Sequence, residues 1–223
     1  MTALTFTQKT NPAFKLDCSR LTPNELIGLS NEKIKNISLT NSKNSPKVSD
    51  FFEVSGENTE IIIFKNPSLQ LNYIGHKMRH GSIMIEGDCG DFLGASMQGG
   101  SIVCQGNAGD RVGDCMRRGL ILVDGNAGDY CGSRMIAGTI GIYGKVGNYV
   151  GFSMKRGTLL LTQTPLHATI QDCGMHTLPF LALLFRAFKP LPSLFSNIQA
   201  KRVQRFAGDL ACGGNGEILI ISP

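Results

Sequence analysis

Five short runs between Asn72 and Thr162 alternate in the same way: SIMIE (82–86), SIVCQ (101–105), LILVD (120–124), TIGIY (139–143) and TLLLT (158–162). Their second and fourth positions are Ile83/Ile85, Ile102/Cys104, Ile121/Val123, Ile140/Ile142 and Leu159/Leu161. Period-two alternation in aliphatic, mostly β-branched residues predicts a strand with one buried face. The third position (Met84, Val103, Leu122, Gly141, Leu160) is mostly apolar as well. The second face is therefore expected to be covered too, by a flanking segment or a partner.

These runs recur every 19 residues, and so do the residues between them. Glycine returns at Gly75, Gly94, Gly113, Gly132 and Gly151, and again at Gly81, Gly100, Gly119, Gly138 and Gly157. Two further glycine series start at Gly87 and Gly90, and methionine falls in phase at Met78, Met97, Met116, Met135 and Met154. A fixed period near 20 residues marks a solenoid whose units cannot bury their apolar faces alone. Nineteen residues leave no room for helices beside strands and glycine corners. The expected fold is all-β: a single-stranded, right-handed parallel β-helix with like residues stacked about 4.8 Å apart. The methionine file is expected to fill its interior, with a Met-rich binding groove as the sharper reading.

Outside the repeat the pattern weakens. Residues 1–70 read as an N-terminal cap with imperfect first coils, 71–162 as the β-helix, and 163–223 as a tail with an apolar helix and a final strand. Within the cap, Leu4 and Phe6 predict one strand, and Thr22-Pro23-Asn24-Glu25 predicts a capping box opening a short helix that ends near Gly28. Ile37–Leu39 reads as a strand and Thr40–Lys47 as a loop. Phe51–Val54 and Ile61–Phe64 read as one or two irregular first coils. In the tail, Leu178–Phe188 is apolar on nearly all sides and stops before Pro190, predicting a helix that must be covered. Gly216–Ile221 predicts a last strand.

Composition narrows the class. The chain has 223 residues, 42% of them hydrophobic and 17% charged, and the repeat accounts for its 27 glycines. A net charge of +5 permits an acidic partner without demonstrating one. The start lacks a basic region followed by an apolar run, and Leu178–Phe185 is too short to span a bilayer, so a cytoplasmic protein with no membrane role is expected. Seven cysteines without a CxxC pair read as small hydrophobes in a reducing compartment. Cys173 and His176 form a CxxH, only half of a structural metal site.

Candidate chemistry is sparse. The files Asp91, Asp110, Asp129 and Asp88, Asn107, Asn126 suit turn hydrogen bonds better than a cation. Arg117, Arg118, Lys155 and Arg156, with Arg79 and His80, make one corner positive: a solvated edge, or a strip for a polyanion or an acidic partner. His76, His80, His167 and His176 lack a nucleophile or carboxylate at diagnostic spacing, and no phosphate loop occurs. Nucleic acid is not expected, because interleaved aromatics are few. Catalytic, cofactor-binding and metal-binding residues are all expected to be absent from this chain.

Units such as GNAGDRVGDCMRRGLILVD (106–124) resemble the GxGxG β-helix shared by the glutamate synthase C-terminal domain and the C subunit of formylmethanofuran dehydrogenase. FFEVSG (51–56) and RVQRFAGDLACGGNGEILI (202–220) resemble that C subunit, and more narrowly its bacterial counterpart in formyltransferase/hydrolase complexes. The resemblance implies a non-catalytic scaffold subunit in one-carbon metabolism. Its implied partners are an A-type hydrolase with a metal centre, a B-type subunit and a D-type formyltransferase. The complex would use methanofuran or methylofuran and tetrahydromethanopterin, releasing formate. The acidic tail implied for such carriers would suit the Arg117, Arg118, Lys155, Arg156 strip. The alternative is a structural part of a glutamate synthase-type amidotransferase.

Overall fold

The structure, a computed structural model, describes residues 2–39, 45–165 and 169–221. In chain order the first strands are β1 (Ala3–Gln8), β2 (Leu16–Asp17), β3 (Phe52–Ser55), β4 (Asn58–Lys65) and β5 (Leu71–Asn72). The repeat supplies β6 (Ser82–Glu86), β7 (Ser101–Cys104), β8 (Leu120–Val123), β9 (Thr139–Ile142) and β10 (Thr158–Leu161). The tail adds β11 (Gln171–His176), β12 (Val203–Gly208) and β13 (Gly216–Ile220). Eleven of these form one mostly parallel sheet, in the order β11-β12-β13-β10-β9-β8-β7-β6-β4-β1-β3, and β2 pairs with β5 separately.

The predicted strands pair in the predicted register. Ile83 lies opposite Ile102, Ile102 opposite Ile121, Ile121 opposite Ile140, and Ile140 opposite Leu159. The same interval is kept away from the sheet, where Cys89, Ala108, Ala127 and Val146 form successive parallel bridges. It is also kept at the corners, where the Phe92 amide donates to the Asp110 carbonyl and the Arg111 amide to the Asp129 carbonyl, both at 2.8 Å. Every repeat therefore hydrogen-bonds to the next on several sides. The files facing inward are fully buried, among them Ile83, Ile102, Ile121, Ile140 and Leu159, with Ile74, Leu93, Val112, Cys131 and Val150 opposite them in each repeat's sequence.

At the amino end the expectation is met in part. Of the one or two irregular first coils expected, one forms: Ile61–Phe64 stacks parallel on the repeat, with Ile61 opposite Ser82, an interval of 21. Phe51–Val54 is no coil: β3 runs antiparallel to β1, and Phe6, Phe52 and Phe64 pack ring on ring there. Helix α1 (Pro23–Leu26) starts with Pro23 at its first turn, as predicted, but the capping box does not form. Asn24 Nδ2 donates to Glu25 Oε1 instead, and Thr22 Oγ1 is buried without a partner among the described residues. The strand expected at Ile37–Leu39 is reduced to one antiparallel bridge between Ser38 and Lys47, since only a single rung of partner backbone is available. Of the expected loop, residues 40–44 lie outside the described residues. Two short helices, α2 (Asn31–Lys35) and α3 (Val48–Phe51), flank it.

The tail covers the sheet's second face. Helix α4 (Phe180–Phe188) and the 3-10 turn Leu194–Asn197 bring Leu181, Phe185, Phe188 and Phe195 onto Val103, Leu122, Leu160 and Leu219. Gly141 breaks that apolar file, and the Phe195 ring occupies the gap: a Cβ on Gly141 would lie 2.8 Å from Phe195 Cζ. Asp124 anchors the turn, accepting from Ser193 Oγ at 2.5 Å and from the Leu194 amide at 3.0 Å. Burial raises the Asp124 carboxyl above its ordinary value, and these two donors oppose the rise. Strand β13 then returns beside β10, with Leu159 opposite Ile218.

Candidate interaction surfaces

The stacking that builds the core also aligns the surface. Arg117, Arg118, Lys155 and Arg156 are all exposed at one corner. Their backbone is fixed, the Arg117 amide donating to the Met97 carbonyl and the Lys155 amide to Met135, both at 2.8 Å. Ile136 and Ala137 occupy the intervening repeat, so cations recur every second rung, about 9.6 Å apart at two ladder spacings. With these uncharged, shorter side chains between the cations, an open groove of about 440 Å³ is lined by Gln98, Arg117, Arg118, Ile136, Ala137 and Arg156. Among the described residues none of the four cations enters an ion pair. Farther along the file, His80 is taken by Glu60 at 3.0 Å.

Gly75, Gly94, Gly113, Gly132 and Gly151 all have positive φ, between 63° and 73°. Met78, Met97, Met116, Met135 and Met154 are fully buried. Each methionine's thioether end lies against a glycine of the next repeat or of β13 (Gly100, Gly119, Gly138, Gly157 and Gly216), within 2.9 Å of where a Cβ would stand.

The Asx files bond between repeats. Asp91 Oδ1 accepts from the Asp110 amide, Asp110 Oδ1 from Asp129 and Asp129 Oδ1 from Asn148, at 2.7–3.0 Å. Asp88, Asn107 and Asn126 do the same for Asn107, Asn126 and Lys145. Each side chain therefore caps the turn stacked on it rather than its own.

One file escapes the sequence reading. Tyr73 stacks on Phe92 at 4.6 Å, the Arg111 guanidinium sits 5.9 Å from the Phe92 ring and 4.7 Å from Tyr130, and Tyr130 stacks on Tyr149 at 4.9 Å. All five occupy positive φ, from 58° to 63°, a region disfavoured for side-chain-bearing residues. The signal was a planar group every 19 residues, hidden because the rungs are Tyr, Phe, Arg, Tyr and Tyr. Beside it Asp114 is buried, accepting from Ser133 Oγ at 2.6 Å and Arg134 Nε at 3.0 Å.

The remaining candidates stay apart. His76 is half-buried with its Nδ1 lacking a partner among the described residues, and burial followed by Lys77 lowers its pKa. His167 lies outside the described residues. His176 Nε2 meets the Cys173 carbonyl at 2.9 Å, and no three His, Cys, Asp or Glu side chains converge among the described residues. Cys18, Cys89, Cys104 and Cys131 are buried like small hydrophobes, with burial pushing the Cys131 thiol up to about 12. Cys173 and Cys212 are exposed and depart from that reading, because the tail places them on the sheet's edge strand and a surface turn. Among the described residues no helix is long and apolar enough to cross a membrane.

No protein-family model matches the chain. It is 34% identical over 93 residues to the C subunit of tungsten-containing formylmethanofuran dehydrogenase 2 from Methanothermobacter wolfeii. It is 30% identical over 79 residues to the C subunit of the formyltransferase/hydrolase complex Fhc from Methylorubrum extorquens. These alignments cover 40% and 35% of this chain, and only 34% and 30% of the relatives' own length. Among solved structures, a chain of the formyltransferase/hydrolase complex FhcABCD from Methylorubrum extorquens, in complex with methylofuran, matches with a TM-score of 0.73 and 29% identity. That match covers 98% of this chain and 100% of the other.

Proposed function

Because this chain is a homologue of the C subunits of formylmethanofuran dehydrogenase and of the Fhc complex, we propose that it is the scaffold subunit of a formyltransferase/hydrolase-type complex. The observation that carries this reading is the end-to-end match to one chain of the FhcABCD structure. The 19-residue register, kept at strands, bridges and corners alike, supports a right-handed parallel β-helix as the brace. Its side chains go into stacking: methionines inside, Asx between turns, planar groups along one edge. On this reading catalysis belongs to other subunits, an A-type hydrolase with a metal centre and a D-type formyltransferase, beside a B-type subunit. Together they move a formyl group from tetrahydromethanopterin to a furan carrier such as methylofuran and release formate in the cytoplasm. This chain offers no converging donor set to hold a metal among its described residues.

The groove at Arg117, Arg118, Lys155 and Arg156 is read as a strip for a polyanion or an acidic partner, since its lining contains three arginines and no carboxylate. Co-expression tests the whole reading: a tagged copy should bring down hydrolase and formyltransferase subunits, and alone should leave formylated carriers intact. Recovery of glutaminase or flavin domains instead, or formate release by the lone chain, would overturn it. For the strip, Arg117→Glu with Arg118→Glu should weaken carrier binding by the intact complex; unchanged affinity removes that role.

A further inference from the structure

The residues from Cys173 to Gly208 include five cations (Arg186, Lys189, Lys201, Arg202 and Arg205) and no Asp or Glu. The tail's three carboxylates, Asp172, Asp209 and Glu217, all lie outside this segment, so its positive charge is locally concentrated. Arg205 is neutralised by Glu217, Nε to Oε1 at 2.9 Å. Among the described residues the other four enter no ion pair.

These cations surround an apolar groove. Between α4 and the irregular stretch 198–201 lies an open cleft of about 670 Å³ whose lining includes Phe185, Ile198, Arg186, Lys189 and Lys201. Phe185 and Ile198 form its floor and are 7% and 8% exposed, while Arg186, Lys189 and Lys201 stand exposed at its rim. The outer side of α4 adds Leu183, 71% exposed, and Phe180, 39% exposed. Desolvated apolar contacts supply affinity at such a surface, and surrounding charges set partner choice and association rate.

We propose that this cleft docks an acidic, amphipathic segment of a partner subunit, one that seats an aliphatic or aromatic side chain on Phe185 and Ile198 and presents carboxylates to Arg186, Lys189 and Lys201. The inference rests on the reading of the chain as a component of a larger complex. Charge complementarity selects the partner's sign, and the concave floor selects a protruding side chain. A bilayer would need a broad emergent apolar face, whereas of α4's large apolar residues only Leu183 and Phe180 stand exposed and Leu181, Phe185 and Phe188 turn down onto the sheet.

The test is assembly of the co-expressed complex carrying Arg186→Glu, Lys189→Glu and Lys201→Glu together, with far-UV dichroism and melting temperature as checks that these surface changes leave the fold intact. Retention of the partner subunit should fall about tenfold or more at moderate ionic strength, and the salt sensitivity of wild-type assembly should disappear. Lys33→Glu with Lys65→Glu, exposed cations of α2 and β4 away from both grooves, should leave that same subunit's retention unchanged. If wild type assembles and the triple variant does so with equal affinity and salt dependence, this inference alone is overturned. It is also overturned if the triple variant assembles normally but loses binding to phosphatidylserine vesicles that wild type shows. If wild type assembles with none of these subunits, the reading as a complex component falls and this inference with it.

Discussion

The thioether methyl of Met97 lies beneath Gly119, where a Cβ on the glycine would stand 2.8 Å from Met97 Cε and 2.8 Å from the Gly100 carbonyl oxygen. Gly119 also has φ of 105°. Two independent constraints, backbone conformation and contact with the preceding repeat, therefore exclude a side chain at one position. Gly28 separates them: its φ is 73°, yet a Cβ there would meet nothing within 4 Å. Gly28→Ala should cost about 1 kcal/mol, the strain alone, and Gly119→Ala more than about 3 kcal/mol. Thermal unfolding measures both. Adding Met97→Ala should relieve little of the second loss, because the Gly100 carbonyl and the dihedral remain.

Phe195 ties the tail to the sheet. Its ring fills the place of a side chain at Gly141 and meets Tyr143 and Phe188 edge-on at 5.9 and 6.0 Å. Phe195→Ala should destabilise by about 3–5 kcal/mol. Hydrogen exchange should then speed up in 180–198 while β6–β9 stay protected, since their ladder bonds do not involve the tail. Equal loss of protection throughout would mean that the sheet and its cover unfold as one unit.

The half-buried His76 gives an acid-side pH dependence. Burial and Lys77 lower its folded pKa below the ordinary value of about 6.5. The unfolded chain thus binds the proton more readily, so the contribution is complete above the ordinary value and is lost as pH falls through the lowered one. A melting-temperature profile from pH 8 to 5 should fall more steeply for wild type than for His76→Gln. Parallel profiles would rule this titration out as a source of acid sensitivity.

Asp124 has the opposite sign. Its folded pKa is raised, so ionisation costs stability as pH rises through that value, while Ser193 and the Leu194 amide offset the cost. Ser193→Ala removes one charge-assisted donor, and about 1.5–3 kcal/mol should be lost where Asp124 is ionised. The loss should shrink at a pH low enough to protonate the carboxyl. Carboxyl-carbon NMR should show Asp124 titrating at a higher pH in the variant.

Much of this architecture was legible because stacking repeats a local environment at a fixed interval, so the sequence repeats with it. The strands β6–β10 follow from two alternating positions in each run, and α4 from a run of apolar residues stopping before Pro190. What escaped were sites whose requirement is shape rather than residue type. Phe92 and Arg111 share no chemistry class, but both present a flat group at the same backbone position. Ile37–Leu39 has the composition of a strand without enough neighbouring backbone to pair with, and at Thr22 the backbone carbonyl rather than the hydroxyl takes the Glu25 amide. The cleft beneath α4 was likewise hidden, because its floor and rim come from segments that only the fold brings together.

The gap at Gly141 fixes more than one ring. The tail reaches back to Val103, Leu122 and Leu160 from a start beyond β10, and the Phe195 ring drops into the vacancy that Gly141 leaves among them. Inserting one more 19-residue unit after β8 would carry that vacancy one rung, about 4.8 Å, away from Asp124, so ring and anchor could no longer be satisfied together. The tail thus acts as a ruler for the number of repeats, and lengthening this protein would require rewriting both at once.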